Sequence, residues 1–261
     1  MGFFLRNSSK QFFKNFVCGN FGKERGKSMQ RITLDCAVCD SHKIGFLKHC
    51  NQEQLQKVST GKTCCYFKKG QHIFYEGNLP MGIHCISSGV VKLVRTNLDG
   101  KEQILRFAQK GDYLGYRALV ANEPLLASAI AIEDTIACFV PKRAFLDLID
   151  EVPAISKELL VSLCHDLGVV EERVQSMAQK SVRERLAETL LFLHETFNSE
   201  DENTISITLP REDIANIVGT ATETVIRLLS EFKTDKLIEV DGKKIRLLDK
   251  QKLDRISHAS V

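Results

Sequence analysis

The chain lacks any apolar run that approaches the roughly 20 residues needed to cross a bilayer as a helix. It also lacks the features of a secretory signal, because its basic first segment, residues 1–31, has no apolar core and no cleavage site. These absences predict a cytoplasmic protein with no membrane partner. In that reducing compartment, the nine cysteines are expected to be thiols or metal ligands and not a disulfide framework.

Sequence motifs of the common nucleotide-using enzymes are missing too. The chain contains no P-loop, no G-x-G-x-x-G at a strand-to-helix junction, and no convergent set of acid, base and nucleophile. An enzyme is therefore not predicted. The alternatives outside DNA binding are a redox carrier that uses the cysteines, and a regulatory subunit that binds a nucleotide without DNA.

A charge excess that would mark a non-specific nucleic-acid binder is also absent. The formal net charge of the 261 residues is +3, and residues 208–250 hold eight basic and eight acidic side chains. Any binding of nucleic acid must therefore depend on where particular side chains stand, which favours a sequence-specific reader.

What the chain does contain is a helix-turn-helix pattern in residues 211–228. Pro210 stands where a helix can begin, Ala215 is small enough for a second helix to cross closely, and Gly219 can adopt the left-handed conformation of the turn. The apolar contacts between the two helices are assigned to Ile214, Val218, Val225 and Leu228.

The second helix is predicted to read bases in the major groove. Thr222, Glu223, Ile226 and Arg227 share the helix face that the packed positions leave free. Arg227 can pair with guanine, Glu223 can accept from a cytosine amino group, and Ile226 can contact a thymine methyl group. Alternatively, Glu223 serves only to cap the helix, as the acid of a T-x-x-E capping box begun by Thr220.

Two short strand patterns follow, at 237–240 and 243–247, around the dipeptide Asp241-Gly242. This dipeptide between alternating strands predicts a two-residue type I′ hairpin. A hairpin placed directly after a helix-turn-helix is the wing of a winged helix and rests on DNA phosphates. Lys243 and Lys244 are therefore predicted phosphate contacts.

Upstream of this region the pattern changes twice. Residues 65–140 alternate in short segments separated by glycines, which predicts an antiparallel sandwich or barrel. Beyond Pro153 the spacing becomes helical, with an apolar seam that either packs on the barrel or joins two copies of the chain. The seam consists of Leu159, Leu163, Leu167, Val170, Val174 and Met177.

These patterns divide the chain into four parts. Residues 1–35 are predicted to be a basic, disordered extension, with initiation at Met29 or a membrane-surface or targeting helix as the alternatives. Residues 36–150 join a cysteine-containing segment to the β-roll sensor domain, and 151–181 form the dimerisation helix. Residues 182–261 form the winged helix-turn-helix DNA-binding domain. A homodimer is expected because a two-fold protein reads a palindromic site.

The order of these parts and four motifs resemble the Crp/Fnr family of bacterial transcription regulators. The motifs are FKKGQHIFYEGN (67–78), ISSGVVKLVRTNLDGKEQILRFAQKGDYLGYRAL (86–119), RERLAETLL (183–191) and the helix-turn-helix. The resemblance implies an α+β fold: a cyclic-nucleotide-binding-type β-roll, a long dimerisation helix and a C-terminal winged helix-turn-helix. It also implies a homodimer that binds a palindromic, double-stranded promoter site and contacts RNA polymerase, with Glu223 and Arg227 as the base and phosphate contacts.

The family's cyclic-nucleotide binders carry a Glu after a glycine pair and an Arg some ten residues later, and both are missing here. Gly115 is followed by Tyr116, and no arginine stands in residues 123–128. A buried phosphate without its guanidinium carries a large desolvation cost, so a cyclic nucleotide is not predicted, although Arg117 could substitute. Gly111, Gly115, Tyr116 and Arg117 form the candidate pocket for an organic effector.

The cysteines provide a different candidate site. Cys36-x2-Cys39-x10-Cys50 precedes the β-roll, and thiolates at such spacing suit an iron–sulfur cluster or zinc. By the resemblance, Cys138 falls where Fnr-type oxygen sensors place a distant fourth cysteine. The resemblance therefore implies a [4Fe-4S] cluster on Cys36, Cys39, Cys50 and Cys138 that senses oxygen or redox state.

The third ligand and the remaining thiols have alternatives. Fnr proteins usually show a shorter gap before their third ligand, so His42 and His49 are alternatives to Cys50. In the alternative interpretation, the thiols bind no metal and the signal is an organic effector in the β-roll. Vicinal Cys64-Cys65 and Cys85 are either redox-active or small buried hydrophobes, and Cys164 on the helical seam is predicted to be core.

Overall fold

The computed structural model describes residues 30–32, 34–36, 39–197 and 203–259 of the chain. Most of the predicted extension, residues 1–29, lies outside the described residues, while Gln30–Ile32 form a strand. The described residues form two compact units: the first contains 30–97 and 105–163, and the second contains 98–104 and 164–259. Among the described helices, none combines the length and the apolar composition that crossing a bilayer would need.

The region of alternating segments folds into two β-sheets. The strands are β1 (Gln30–Ile32), β2 (Thr63–Phe67), β3 (His72–Phe74), β4 (Gly82–Ser88), β5 (Val91–Thr96), β6 (Glu102–Ala108), β7 (Tyr113–Leu114), β8 (Ser128–Ala131) and β9 (Thr135–Pro141). One sheet has the order β1-β2-β9-β4-β7 and the other has the order β3-β8-β5-β6. The central strand β9 pairs antiparallel with both β2 and β4. This jelly-roll-like arrangement confirms the predicted β-roll.

Helices flank and follow the β-roll, which confirms the α+β class. They are α1 (Gln52–Gly61), α2 (Tyr116–Ala121), α3 (Lys142–Glu151), α4 (Pro153–Gln179), α5 (Val182–Thr196), α6 (Arg211–Val218), α7 (Thr222–Thr234) and α8 (Lys250–Ser257), with 3-10 turns at Asp40–Lys43 and Phe46–His49 and a hairpin of β10 (Ile238–Asp241) and β11 (Lys244–Leu247). The predicted long helix is α4. It begins at Pro153, because proline lacks the N–H that would be unpaired at the first helical position and its fixed φ suits a helix.

The apolar seam of α4 divides into two parts. Leu159 is buried and Leu163 is half-buried in the core of the first unit, so the beginning of the seam packs on its own β-roll. Further along, Leu167, Val170 and Val174 are 58%, 56% and 63% exposed. This part of the seam is an apolar stripe that packing within the described chain leaves open.

Helix α5 begins with a capping box. The Ser181 N–H donates to Glu184 Oε2 at 2.6 Å, and the Glu184 N–H donates to Ser181 Oγ at 3.3 Å. Ser181→Ala removes the second bond and should lower the free energy of unfolding by about 1 kcal/mol in a urea titration. Ser162→Ala, inside α4 and away from any cap, should change it by less than ~0.5 kcal/mol. An equal loss in the two variants would contradict the capping role.

Candidate nucleic-acid interface and candidate metal centre

The predicted helix-turn-helix is present as α6, a turn and α7. Gly219 has a φ of 74°, the left-handed conformation that lets the chain turn sharply after α6. Ala215 is buried, as a residue at a close helix crossing must be. The four predicted apolar contacts, Ile214, Val218, Val225 and Leu228, are each at most 4% exposed. The predicted packing of the two helices is therefore confirmed.

The predicted capping box at the start of α7 is wrong. The N-cap residue of α7 is Ala221, which offers no side-chain hydrogen bond. Thr220 still belongs to the turn, because its N–H donates to the Ala215 carbonyl at 3.1 Å. Glu223 therefore does not cap α7, and its side chain is exposed.

The outer face of α7 carries the predicted base-reading residues. Glu223, Ile226 and Arg227 are exposed, and Thr222 is half-buried. Ile226 is 49% exposed because Val225 fills the neighbouring inner position. An exposed apolar side chain among polar neighbours suits contact with a thymine methyl group. The base-reading roles of these residues stay predictions.

Arg227 is paired with an acidic side chain one helical turn away. Its Nη1 lies 2.5 Å from Glu231 Oε1, while Glu231 Oε2 accepts from Arg183 Nη1 at 3.0 Å. The Arg227 side chain is 65% exposed. An exposed ion pair contributes only about 0–1 kcal/mol, so the Arg227 guanidinium can exchange Glu231 for a guanine or a phosphate at little cost.

The wing is present, but its turn differs from the prediction. Asp241 pairs with Lys244 in the β10–β11 register, so the loop residues are Gly242 and Lys243. Gly242 has a φ of 56° and Lys243 does not have a positive φ, whereas a type I′ turn needs positive φ at both positions. Glycine at the first position is typical of a type II′ turn. Lys243 and Lys244 are both exposed at the tip, and Arg211 Nη2 donates to the Gly242 carbonyl at 2.8 Å, which ties the tip to α6.

Three cysteines lie side by side in the five-stranded sheet. Cys64 on β2 and Cys85 on β4 are the direct cross-strand partners of Cys138 on β9. Directly opposed residues project from the same face of a sheet, with Cβ atoms ~4.5–5.5 Å apart. All three side chains are buried, and Cys64 and Cys138 are joined by a disulfide. The expectation of reduced thiols or metal ligands is therefore wrong for this pair, because the strand register brings the two sulfurs together.

The cysteine-containing segment packs against the same face of the sheet. The cysteines that line one small, largely buried pocket there are Cys36, Cys39, Cys85 and Cys138. Lys62 also lines the pocket, and its Nζ donates to Cys36 Sγ at 2.8 Å. Cys39 Sγ lies 3.4 Å from Ser87 Oγ. Two of the N-terminal cysteines therefore meet the distant Cys138, as a shared ligand site requires.

Tyr113 holds the cysteine-containing segment in place. The ring of Phe46 stacks on it with centroids 3.5 Å apart, and a Cβ at Gly45 would overlap the tyrosine ring. The Leu47 N–H donates to the Tyr113 hydroxyl oxygen at 3.4 Å. Tyr113 also hydrogen-bonds the side chain of Cys85. One residue thus contacts both the segment and the pocket.

The thiols differ in how readily they ionise. Burial raises the pKa of Cys39, but hydrogen bonds with Ser87 and Ser41 outweigh burial and leave the pKa below its ordinary value. Burial raises the pKa of Cys85 to about 12 and that of Cys50 to about 11. Cys39 is therefore the most ready to act as a thiolate among these three, whereas Cys85 and Cys50 would ionise only beside a cation such as a metal.

The other candidate ligands lie apart from the pocket. Cys50 is half-buried and is not among the residues that line it. His49 Nε2 lies 3.3 Å from Glu158 Oε2, so its ring faces α4. The side chain of His42 lies outside the described side chains. Cys164, predicted to be core, is exposed, because the seam of α4 is open beyond Leu163.

The side chains that line the pocket fit a metal centre ligated by thiolates, once the Cys64–Cys138 disulfide has been reduced. Within the described residues, no three His, Cys, Asp or Glu side chains form a ready metal site. Cys138 cannot offer a thiolate while it is bonded to Cys64. After reduction, four sulfur donors of the kind that iron–sulfur clusters and zinc prefer would face one pocket, beside the cation Lys62.

The four residues of the candidate effector pocket lie around β7 and the start of α2. Gly111 and Gly115 have φ values of 95° and 84°, which glycine adopts without strain. Tyr116 is buried in the core, and Arg117 Nη1 pairs with Glu123 Oε2 at 3.0 Å. The guanidinium that could replace the missing phosphate-binding arginine is thus already paired with a carboxylate.

Sequence reasoning did not predict that two residues of the thiol pocket, Cys85 and Lys62, lie next to the proposed ligands. Cys85 opposes Cys138, and Lys62 contacts Cys36. The available signal for Cys85 was its position in an alternating strand pattern next to the 86–119 motif. The signal was weak because a strand's partner and register are not visible in its own sequence.

The fold and the interface define a transcription regulator with a winged helix-turn-helix. Residues 64–152 match the family model of the cyclic nucleotide-binding domain, and residues 184–256 match that of the Crp-like helix-turn-helix domain. The chain belongs to the Crp/Fnr family of transcription regulators, whose members bind DNA, act as dimers and are not enzymes.

Relatives match along most of their length. The fumarate and nitrate reduction regulatory protein of Vibrio cholerae is 27% identical over 229 residues, which are 87% of this chain and 90% of that protein. The CRP-like cAMP-activated global transcriptional regulator of Mycobacterium tuberculosis is 29% identical over 205 residues, 78% of this chain and 88% of that protein. FixK2 from Bradyrhizobium japonicum has the same fold, with a TM-score of 0.67 at 23% identity over 75% of this chain and 96% of that structure.

Proposed function

We propose that this regulator binds promoter DNA in response to oxygen or redox state, through an iron–sulfur cluster held by cysteine thiolates. The observation that carries the proposal is the meeting of Cys36 and Cys39 with Cys138 at one buried pocket. When bound, a cluster of this kind, expected to be [4Fe-4S], supplies sensitivity to oxidants. The name of the Vibrio cholerae relative, which refers to two reductions, is in keeping with such a signal.

Contacts within the first unit link the thiol pocket to the beginning of α4. Cys36, Cys138, Ile155 and Leu159 belong to one buried apolar core. In addition, Glu158 on α4 accepts from Lys48 Nζ at 2.9 Å in the cysteine-containing segment. Because a packed core transmits displacement, a change in how the segment binds at the pocket alters the packing of α4. Ligation therefore biases the equilibrium of α4 between two arrangements.

The open stripe of α4 is proposed to form the homodimer interface. Val170→Glu with Val174→Glu places two carboxylates on the stripe, where dimerisation would bury them without partners. The double variant should elute at the mass of one chain and lose at least tenfold in affinity for a two-half-site duplex. Both quantities are measured by light scattering and fluorescence anisotropy.

The matched control for the stripe is Glu172→Gln, on the opposite side of the same turns of α4. It should keep the dimer mass and the affinity of the unmodified protein. A double variant that still elutes as a dimer would contradict the assignment of this stripe as the interface.

DNA recognition is proposed to follow the family arrangement. α7 enters the major groove with Thr222, Glu223, Ile226 and Arg227, and the wing rests Lys243 and Lys244 on phosphates. A dimer then covers two half-sites about one helical turn apart in a palindromic promoter. RNA polymerase is the protein partner that a promoter-bound regulator of this family implies.

A second candidate signal is an organic effector or a cyclic nucleotide in the β-roll. It is favoured by the match of residues 64–152 to the cyclic nucleotide-binding domain. The missing phosphate-binding glutamate and arginine stand against a cyclic nucleotide. Adding cyclic AMP or cyclic GMP to the metal-free protein distinguishes the two signals. A rise in DNA affinity under those conditions would favour the second candidate.

The proposed signal is tested by reconstituting the full chain anaerobically with ferrous iron, sulfide and a dithiol. The expected product contains about four iron and four sulfide per protomer, absorbs broadly near 400 nm and loses that absorbance in air. DNA affinity should fall as the absorbance falls. Protein that stays colourless and free of iron, and that binds DNA equally with and without oxygen, would overturn the proposal.

A further inference from the structure

Cys85 occupies a fixed position beside Cys138. The β4–β9 ladder continues on both sides of the pair, with Ile83 opposite Val140 and Ile86 opposite Ala137. The two sulfur-bearing side chains therefore leave the same face of two hydrogen-bonded strands, at the spacing of direct cross-strand neighbours. Strands hold their side chains more rigidly than loops do, so this pair is pre-positioned to share one centre.

Cys36 and Cys39 approach Cys85 from the opposite side of the pocket. All three line it together with Cys138. The four cysteines thus converge from two directions: two from the docked segment and two from the sheet.

Cys50 packs against the same core but does not line the pocket. It immediately precedes α1, whose N-cap residue Asn51 accepts from the Gln54 N–H at 2.9 Å and donates its own N–H to Gln54 Oε1 at 2.9 Å. The Cys50 N–H is also bound, to the Leu47 carbonyl at 3.0 Å. These bonds fix the backbone on both sides of Cys50, and its side chain is not among those that line the pocket.

We infer that the proposed cluster is ligated by Cys36, Cys39, Cys85 and Cys138, with Cys50 outside the ligand set. This inference rests on the proposed function and changes one predicted ligand. It also gives a physical reason for the long spacing between Cys39 and Cys50, since the third N-terminal cysteine is then not required. The strand residue Cys85 supplies the missing thiolate instead.

Cys138 then has two alternative partners, one on each neighbouring strand. In the disulfide its sulfur is bonded to Cys64 on β2, and in the ligand set it stands with Cys85 on β4. A dithiol reductant converts the first state to the second: it gives two electrons and two protons to the Cys64–Cys138 bond and itself becomes a disulfide. The freed Cys138 thiol loses its proton when it binds metal.

The inference is tested on the full chain by anaerobic reconstitution of four proteins with ferrous iron, sulfide and dithiothreitol. They are the unmodified protein, Cys85→Ser, Cys50→Ser and the control Cys164→Ser, whose cysteine is exposed on α4. Iron, acid-labile sulfide and visible circular dichroism are measured for each. We expect Cys85→Ser to retain less than about a tenth of the iron and sulfide, and Cys50→Ser and Cys164→Ser to match the unmodified protein.

The outcomes separate this inference from the proposed function. Loss of iron and sulfide in Cys50→Ser, or retention in Cys85→Ser, would overturn the ligand set while leaving cluster binding intact in the unmodified protein. An unmodified protein that takes up neither iron nor sulfide would overturn the proposed function as well. If Cys85→Ser loses its far-ultraviolet circular dichroism, the variant is unfolded and the result for Cys50→Ser is used instead. A full cluster in Cys50→Ser supports the inference, and loss of the cluster contradicts it.

Discussion

Cys138→Ser should abolish visible absorbance after anaerobic reconstitution and remove the oxygen dependence of DNA binding. The expected effect is large because a serine hydroxyl is a much poorer ligand for iron than a thiolate, and Cys138 stands opposite Cys85 in the floor of the pocket. Iron content should fall from about four per protomer to below about one. It is measured together with DNA affinity under nitrogen and in air.

The disulfide partner provides the matched control for this prediction. Cys64→Ser removes the same disulfide but leaves the Cys138 thiol free, so it should keep the cluster and even load without a dithiol. Cys164→Ser should leave both properties intact. Equal loss of the cluster in Cys64→Ser and Cys138→Ser would contradict a ligand role for Cys138 and assign the effect to the disulfide.

Arg227→Ala should reduce the affinity for the cognate palindrome by roughly 5- to 150-fold, equivalent to about 1–3 kcal/mol, with a much smaller change on scrambled DNA. The reason is that Arg227 is exposed on the outer face of α7, and its pairing with Glu231 is weak enough to be exchanged for guanine. Anisotropy titrations on both duplexes measure the difference. Unchanged discrimination between the duplexes would exclude Arg227 as a base reader.

The two lysines of the wing are expected to affect DNA binding differently from Arg227. Lys243→Ala and Lys244→Ala should weaken binding to the cognate and the scrambled duplex alike, since both residues are at the exposed tip of the hairpin and are expected to meet phosphates. Each should also lower the slope of log affinity against log salt by about one. A change of specificity in either variant would contradict the phosphate role.

Most of the fold was predictable because its signals are local. The turn of the helix-turn-helix follows from Gly219, and the inner positions Ile214, Val218, Val225 and Leu228 follow from helical spacing. The β-roll and the long helix follow from a change of period at Pro153. Where local signals compete, prediction was poorer. Thr220 was available as a cap, yet it belongs to the turn, and Ala221 occupies the N-cap position without a capping side chain.

The thiol site was predictable only in part because it depends on long-range pairing. Cys36, Cys39 and Cys138 could be named from spacing and resemblance, and they line one pocket. The neighbours of Cys138 are set by the register of β9 with β2 and β4, and a shift of one residue would turn each side chain to the other face. Neither the Cys64–Cys138 disulfide nor the place of Cys85 could therefore be derived from the sequence.

The most direct test of the central claim, a redox-controlled and sequence-specific dimer, is selection of binding sites from random double-stranded DNA. Reconstituted protein is used under nitrogen and, in parallel, after exposure to air. The account predicts one enriched palindrome under nitrogen, with half-sites about one helical turn apart, and loss of enrichment in air. Equal enrichment of the same sequence in both conditions, or an enriched site without two-fold symmetry, would contradict it.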